Sequence, residues 1–305
     1  MRASGAGQRC LQYTRRAEHV VMTIGDGASY APEGAAKPVV QAGEFRFAVA
    51  GLDHGHIYGQ ANGLIEAGGT MVAAFDADRD RLATFIDRFP LAKPVSSFEE
   101  LLDNPTLQLI ASAAIPSERS TIGNRVMQAG KDYFTDKSPF TTLEQLQETR
   151  QLQQATGRRY FVYYAERVHN EAAWHAGELI KAGAVGDVLQ VLNIAPHRLS
   201  ATSRPGWFFD KSCYGGILTD IGCHQVEQFL TYAGCKEADI NHALVRQNAD
   251  FPGLEDFGEM SLTGDNGASF LQSCRLVHSR WNAGLGRWSS FYSRHLWLIG
   301  TSEIC

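Results

Sequence analysis

Two short segments of the 305-residue sequence carry residue types and spacings suited to moving a proton beside a charged oxygen. Asp136-Lys137-Ser138-Pro139 sets a lysine in a turn stiffened by proline, where an ammonium can hold a hydroxyl or carbonyl oxygen by charge and hydrogen bonding. Further on, the paired glycines Gly215-Gly216 precede Asp220 and His224, which are four residues apart and so share one face of a helix. A carboxylate beside an imidazole orients the ring and stabilises its protonated form, as general acid–base catalysis requires. The plain alternatives are a solvated surface lysine and a core histidine beside a capping aspartate.

A third segment suits a phosphate. An apolar run, Phe45–Ala50, leads into Gly51-Leu52-Asp53-His54-Gly55-His56-Ile57-Tyr58-Gly59. A glycine-rich turn from strand to helix aims backbone N–H groups at a pyrophosphate. The match to Gly-x-Gly-x-x-Gly is partial, because Asp53 and His56 occupy the second and third glycine positions. A tight turn with close helix packing is the alternative reading. A second apolar run, Thr70–Phe75, stops at Asp76, where an acidic residue accepts hydrogen bonds from an adenosine ribose. A carboxylate there repels a 2′-phosphate, so NAD is expected over NADP. Asp76 also suits the N-cap of a helix over Arg79–Phe89. The candidate cofactor-binding residues are therefore Gly51, Asp53, His54, Gly55, His56, Asp76, Pro116 and Lys137. Pro196-His197-Arg198 and Arg204-Pro205-Gly206-Trp207 sit between the two chemical segments. Arginine forks onto carboxylates and tryptophan offers a flat face to a sugar ring, so His197, Arg198, Arg204 and Trp207 are candidate substrate contacts. Inter-domain packing is the competing account. Tyr163 to Arg167 could also reach the cleft.

These residues need elements to place them. Apolar runs at 45–50, 70–75, 107–114, 132–135 and 160–164 alternate with helical patterns over 57–67, 79–89, 117–129 and 143–155. Gly130 and Gly157 stand as helix stops. Continuous apolar strands alternating with helices predict a parallel sheet covered on both faces. After about residue 165 the rhythm changes. Helical stretches over 170–181 and 216–232 join strand patterns at 188–195, 240–247, 258–263, 268–276 and 295–299. The expected fold class is α/β, a Rossmann doubly wound parallel sheet over 45–165, plus an α+β domain over 166–305 with a large, mostly antiparallel open sheet.

Composition narrows the function further. Apolar residues make up 44% and charged residues 20%, ordinary for a globular protein. A formal net charge of −5 argues against a nucleic-acid partner, and no apolar stretch is long enough to span a membrane. Six scattered cysteines without Cys-x-x-Cys fit reduced thiols and a cytoplasmic location. Residues 1–44 read as a flexible tail. Translation starting upstream of Met22 would give such a tail; Arg2, Arg9, Arg15 and Arg16 precede the first acid, Glu18, so a targeting segment is the alternative.

Taken together, the segments resemble the GFO/IDH/MocA oxidoreductases, named for glucose–fructose oxidoreductase and inositol dehydrogenase. Asp136-Lys137-Ser138-Pro139 is similar to that family's Glu-Lys-Pro motif, with Asp for Glu and a serine inserted. Gly215-Gly216 through Asp220 and His224 resembles its Gly-Gly-x-x-x-Asp-x-Gly-x-His motif. The resemblance runs from about Phe45 to the C-terminus. It implies an NAD-dependent dehydrogenase acting on a sugar, inositol or related hydroxy compound, with Lys137, Asp220 and His224 as the catalytic set. In that reading His224 exchanges the hydroxyl proton, Lys137 polarises the oxygen and Asp220 positions substrate or supports the histidine. The resemblance also implies a homo-oligomer built on the second sheet. The sequence departs from the family in its glycine loop, in an unpatterned segment at 278–294, and in ending at Cys305, which suggests a shortened second domain or a truncated product. Two rival readings are a non-catalytic NAD-binding regulator and an amidohydrolase-like metal enzyme. The latter would use His54 and His56 with Lys137, His197, His224 and Asp256 on a (β/α)₈ barrel.

Overall fold

A computed structural model describes residues 37–277 and the backbone of 298–300. The first domain holds strands β1 Arg46–Ala50, β2 Thr70–Phe75, β3 Lys93–Pro94, β4 Leu109–Ser112, β5 Asp132–Asp136 and β6 Tyr160–Tyr163. Between them lie helices α1 His56–Glu66, α2 Arg79–Arg88, α3 Phe98–Leu102, α4 Arg119–Gln128 and α5 Leu143–Thr156. All strand pairs are parallel and the sheet order is β3-β2-β1-β4-β5-β6. The order reverses between β1 and β4, which opens a crevice at the carboxyl ends of the strands.

Alternation along β1 explains its unbroken apolar run. Phe47 and Val49 enter a core with Ile57 of α1 and Leu82 and Phe85 of α2. Ala48 and Ala50 enter the opposite core with Phe98 and Leu101 of α3 and Val126 of α4. Both faces are covered, so the four buried positions after Arg46 are all apolar. Helix starts are fixed by side chains: Ser97 accepts from Glu100 N–H, and Thr142 accepts from Gln145 N–H. The cap of α2 differs from the sequence expectation. Asp78, not Asp76, accepts from the N–H groups of Asp80 and Arg81. Asp76 instead spans two loops, accepting from Leu52 N–H at 2.7 Å and Asp78 N–H at 2.8 Å. Residues 37–44, the end of the expected tail, hydrogen-bond to the first domain through Val39 N–H to Ala67 O and Gly43 N–H to Thr70 Oγ1. Residues 1–36 lie outside the described residues.

The second domain begins with α6 Ala165–Val168 and α7 Glu171–Lys181, then strand β7 Gln190–Arg198. It continues through α8 Lys211–Tyr214 and α9 Cys223–Ala233 to β8 Ala238–Gln247, β9 Glu255–Gly264, β10 Ser269–Val277 and β11 Leu298–Gly300. Its sheet order is β11-β7-β10-β9-β8; β7 and β10 run parallel and every other pair is antiparallel. One face packs against α9, where Phe229 and Phe270 stack at 5.0 Å. The other face, among the described residues, carries exposed Ile194, Leu271 and Leu244. The helical stretch expected over 216–232 is present as an unbroken run over 217–233, with an irregular first part. Gly215 and Gly216 have positive φ and lie before it, Leu218–Gly222 forms one π turn, and the regular helix starts at Cys223. The expected strand at 295–299 is represented by β11, and the unpatterned segment 278–294 lies outside the described residues. Among the described residues no helix is long and apolar enough to cross a membrane.

Candidate active site

The site forms where the carboxyl ends of β1, β4 and β5 meet the turn before α9. The first piece is the loop from β1 to α1. Gly51 has φ +69°, and a Cβ there would lie 2.8 Å from Ala114 Cβ, so only glycine fits between the ends of β1 and β4. Gly55 occupies the N-cap of α1, and no acidic side chain enters the helix's first turn. That leaves a helix N-terminus whose partial positive charge favours an anion. Beside it Arg81 contacts Asp53, approaches Asp76 at 3.4 Å and Asp78 at 3.5 Å. Burial raises the Asp53 carboxyl above its usual range, with Arg81 opposing. Pro116 is buried and opens a single 3₁₀ turn ahead of α4.

The second piece is a hub at the end of β5. Asp136 is fully buried, and its carboxylate meets His56 Nδ1 at 2.7 Å, Arg119 Nη2 at 3.0 Å and the Lys137 N–H at 2.8 Å. Burial pushes its pKa up, but His56 and Arg119 outweigh that and hold the group ionised far below the usual carboxylate range. Arg119 has almost no exposure and also donates to Ala114 O at 2.7 Å, to Ser138 O at 3.1 Å and to Lys137 O. It therefore clamps the β4 end to the turn that carries Lys137. Sequence reasoning passed over Arg119, which looks like any polar residue at a helix start.

Lys137 reaches across to the second domain. Its Nζ lies 2.5 Å from Asp220 Oδ1 and 2.9 Å from Asp220 O, with both side chains buried. Burial lowers the lysine pKa, yet Asp220 and Asp136 outweigh it and the group sits above its usual value. Asp220 is shifted the other way: burial raises it, and Lys137 more than compensates. The two partners agree on an ammonium–carboxylate pair. The turn before Asp220 depends on its glycines. Gly216 has φ +101°, and a Cβ there would lie 2.6 Å from Glu255 Oε2, which accepts the Ile217 N–H at 2.9 Å.

His224 follows on the first turn of α9 and is buried. The expected Asp220–His224 pairing is absent: Asp220 is spent on Lys137, and His224 Nδ1 has no hydrogen-bond partner among the described residues. The π turn that carries Asp220 displaces it from the regular helical path, and such turns are common at functional sites. Burial is the main cause of a pKa lowered to about 4 for His224. The ring is therefore neutral near pH 7 and has one unprotonated nitrogen.

The remaining predicted contacts divide. Asp53 and His54 line a cavity of about 290 Å³ opposite Thr202, Ser203, Arg204, Pro205 and Phe208. Arg204 is fixed by bonds to Leu199 O at 2.6 Å and Arg198 O at 3.1 Å, with its guanidinium 3.9 Å over the Phe208 ring. Trp207 approaches His54 at 6.1 Å between rings, and its Nε1 is buried without a partner among the described residues. His197 faces inward, 3.2 Å from the buried Glu166, which also accepts from Gln225 at 2.8 Å. Arg198 does not join them. Alternation along β7 turns it to the exposed face with Ile194.

The metal-enzyme reading does not survive the topology. Strand–helix alternation ends at β6, and Asp256 lies on β9 bonded to Asn248 at 2.9 Å. His54, His56 and Asp136 do bring three ligand atoms within 4.8 Å of one another. Asp136 is already saturated by Arg119, His56 and a backbone N–H, and a second cation beside Arg119 and Lys137 would be repelled.

Comparison with known proteins now decides the family. Residues 45–164 match the family model described as an oxidoreductase family with an NAD-binding Rossmann fold, and residues 174–301 match the GFO/IDH/MocA C-terminal domain. The chain belongs to the GFO/IDH/MocA oxidoreductases. A solved protein of Erwinia carotovora atroseptica SCRI1043, described as an oxidoreductase, is 39% identical with a TM-score of 0.78, covering 85% of this chain and 76% of that one. D-xylose dehydrogenase of Paenarthrobacter nicotinovorans is 24% identical over 47% of this chain and 38% of its own length. scyllo-Inositol 2-dehydrogenase (NADP(+)) of Bacillus subtilis is 23% identical over 53% of this chain and 45% of its own length. The matched part thus spans less than half of these two curated relatives. As a member of this family, the oxidoreductase carries a Rossmann fold of the NAD-binding type. Its residues fit such a cofactor: the Gly51 cradle and open α1 N-terminus would suit a diphosphate, and Asp76 offers a carboxylate at the end of β2.

Proposed function

We propose that this oxidoreductase is an NAD-dependent dehydrogenase that oxidises or reduces a carbinol carbon of a sugar, inositol or related hydroxy compound. The observation that carries the reading is the buried Lys137–Asp220 pair beside a neutral His224 whose Nδ1 has no partner among the described residues. In the oxidative direction His224 takes the substrate hydroxyl proton. The Lys137 ammonium holds the same oxygen as negative charge develops on it, and Asp220 keeps that lysine charged and aimed. When bound, the dinucleotide would supply the hydride acceptor, with the Gly51–His56 loop on its diphosphate and Asp76 on a ribose hydroxyl. His224 and Lys137 thereby divide proton removal from charge stabilisation, a step that general bases speed by about 10²–10⁴-fold. Relatives named for D-xylose and scyllo-inositol support the substrate class.

NAD rather than NADP is the cofactor in this reading. Asp53, Asp76 and Asp78 set three carboxylates against the single guanidinium of Arg81, which disfavours a 2′-phosphate. The face of the second sheet that, among the described residues, carries exposed Ile194, Leu271 and Leu244 suits a second copy of the chain. Free Cys213, Cys223, Cys235 and Cys274 suit the cytoplasm. The test is NADH and NADPH titration of the purified chain by fluorescence, followed by dehydrogenase assays with D-xylose and scyllo-inositol. Saturable NADH binding with turnover abolished in Lys137→Met supports the reading. A folded chain that binds neither nucleotide sinks it.

A further inference from the structure

The loop between β1 and α1 carries two histidines, and their surroundings separate their roles. His56 is tied into the fold: its Nδ1 bonds Asp136 at 2.7 Å and its ring meets Tyr163 edge-on. His54 is held by the other end of its hydrogen-bonding capacity. Its Nδ1 accepts the His56 backbone N–H at 3.3 Å, and Asp136 Oδ2, 3.4 Å from the same nitrogen, makes no hydrogen bond with it. An imidazole whose Nδ1 accepts, and which is neutral, carries its proton on Nε2. Burial, then His56, Lys137 and Arg119, favour the neutral ring, with Asp136 opposing. Because the Nδ1 edge faces Asp136 and the His56 amide, the Nε2 edge faces the other way. His54 is also a wall of the cavity that Thr202, Ser203 and Arg204 close from the second domain. Its neighbour Asp53 is turned onto Arg81 and offers no proton there.

We propose that His54 is a specificity-determining residue that presents a fixed Nε2–H donor to an acceptor oxygen of the ligand in this cleft. The inference rests on the dehydrogenase reading. Two ligands offer such an oxygen at this position, the cofactor's diphosphate and the substrate's hydroxyl. His54 serves as the reading head for whichever lies against the β1–α1 loop, while His56 and Asp136 hold it in place.

The test has a readout independent of turnover. Two-bond ¹⁵N–¹H correlation spectra of the purified full chain, with His54 assigned by comparison with His54→Gln, report the tautomer directly. The expected form is Nε2–H, with the Nε2 resonance moving on ligand addition. Affinities are then measured for NADH, for ADP-ribose and for D-xylose or scyllo-inositol in the presence of NADH. His54→Phe keeps the ring volume and loses the donor, and should weaken one probe by about five- to tenfold, the worth of one hydrogen bond. His54→Gln, whose amide can reach near the Nε2 position, should recover most of it. A loss confined to NADH and ADP-ribose assigns the diphosphate; a loss confined to the polyol assigns the substrate hydroxyl. An Nδ1–H tautomer overturns the proposal. So does a wild-type chain that binds NADH while both variants match it for every probe. Should His54→Phe fail to fold, the tautomer and His54→Gln decide. A wild-type chain that binds no probe overturns this inference and the dehydrogenase reading together, whereas intact NADH binding separates them.

Discussion

Asp136 and Asp220 are buried carboxylates in one site, and they are bonded in contrasting ways. Asp136 is met by His56, Arg119 and a backbone N–H, and every partner is fixed in the first domain. Asp220 makes one side-chain ion pair, to Lys137 across the domain boundary, and sits on a π turn. Their principal cations differ too. A guanidinium cannot shed its proton inside a protein, whereas a buried lysine can. Asp136 thus belongs to a closed structural unit. Asp220 belongs to a region with capacity left over: His224 Nδ1 and, deeper in the same domain, Gln228 and Asn193 Oδ1 are buried polar groups without partners among the described residues. The contrast lies between the two carboxylates rather than between the two domains, because Thr135 Oγ1 and Ser138 Oγ beside Asp136 are also buried without partners among the described residues.

The sharpest way to test that contrast is His224→Leu. It should lower kcat by about 10²–10⁴-fold. It should also leave stability unchanged or slightly higher, because it removes a buried nitrogen without a partner among the described residues. NADH affinity and denaturant midpoint, measured beside turnover, check both halves. A His224→Leu chain that unfolds easily would show that the Asp220 side holds shape after all.

The opposite outcome is expected at the hub. Asp136→Asn strands the Arg119 charge in a fully buried position and should cost about 3–5 kcal/mol of stability. Asp220→Asn should cost clearly less, because Lys137 can become neutral. Its main effect is on turnover, since the lysine then loses the charge that holds the substrate oxygen. Urea unfolding of the two variants side by side is the measurement. Equal losses would break the comparison.

The two halves were unequally legible in the sequence. Strand runs such as FRFAVA and TMVAAF announce the parallel sheet, because strands buried on both faces must be apolar throughout. Lys137, Asp220 and His224 could be named because each sits in a segment with a recognisable pattern. Their bonding could not. The pairing of Asp220 with Lys137 rather than His224 follows from a π turn and from a contact between residues 83 apart in sequence, and local spacing encodes neither. Arg119 was invisible for a related reason: a residue's burial depends on what the chain brings to it from afar. Asp78 displaced Asp76 as the helix cap because Asp76 was already engaged by the Leu52 N–H from the neighbouring strand's loop. Arg198 lies on the exposed face of β7 because strand register, not composition, decides which face a residue takes.

pH gives a third, smaller test. His224 has a folded pKa lowered to about 4, against about 6.5 in the unfolded chain. Above pH 6.5 both states are neutral and the group is silent. As pH falls from 6.5 towards 4 the unfolded chain binds the proton and the folded chain does not, so folding stability declines across that window. For one such group the loss approaches about 3 kcal/mol. His54 and His169 are lowered as well, mainly by burial, and act in the same direction. His224→Leu should flatten part of the decline, which thermal melts from pH 7 to pH 4 will show. An unchanged slope would mean that His224 titrates normally and is not buried as a neutral base.

The smallest expected effect lies farthest from the hub, at the ribose end of the cleft. Asp76 accepts from two backbone N–H groups, and Arg81 lies 3.4 Å from it while contacting Asp53 and Asp78. Asp76→Ser keeps a short acceptor but removes one negative charge from this group, so Arg81 faces two carboxylates instead of three. On the proposed NAD preference, the change should narrow the NADH-over-NADPH discrimination by about tenfold, or about 1.4 kcal/mol, through weaker repulsion of a 2′-phosphate. Arg81→Ala should shift the ratio the other way by removing the only cation in the group. Paired fluorescence titrations with the two nucleotides measure both. If the two variants move the ratio in the same direction, the balance of charge around Arg81 does not choose the cofactor, and the division between a shape-holding hub and a ligand-reading cleft would end short of the ribose.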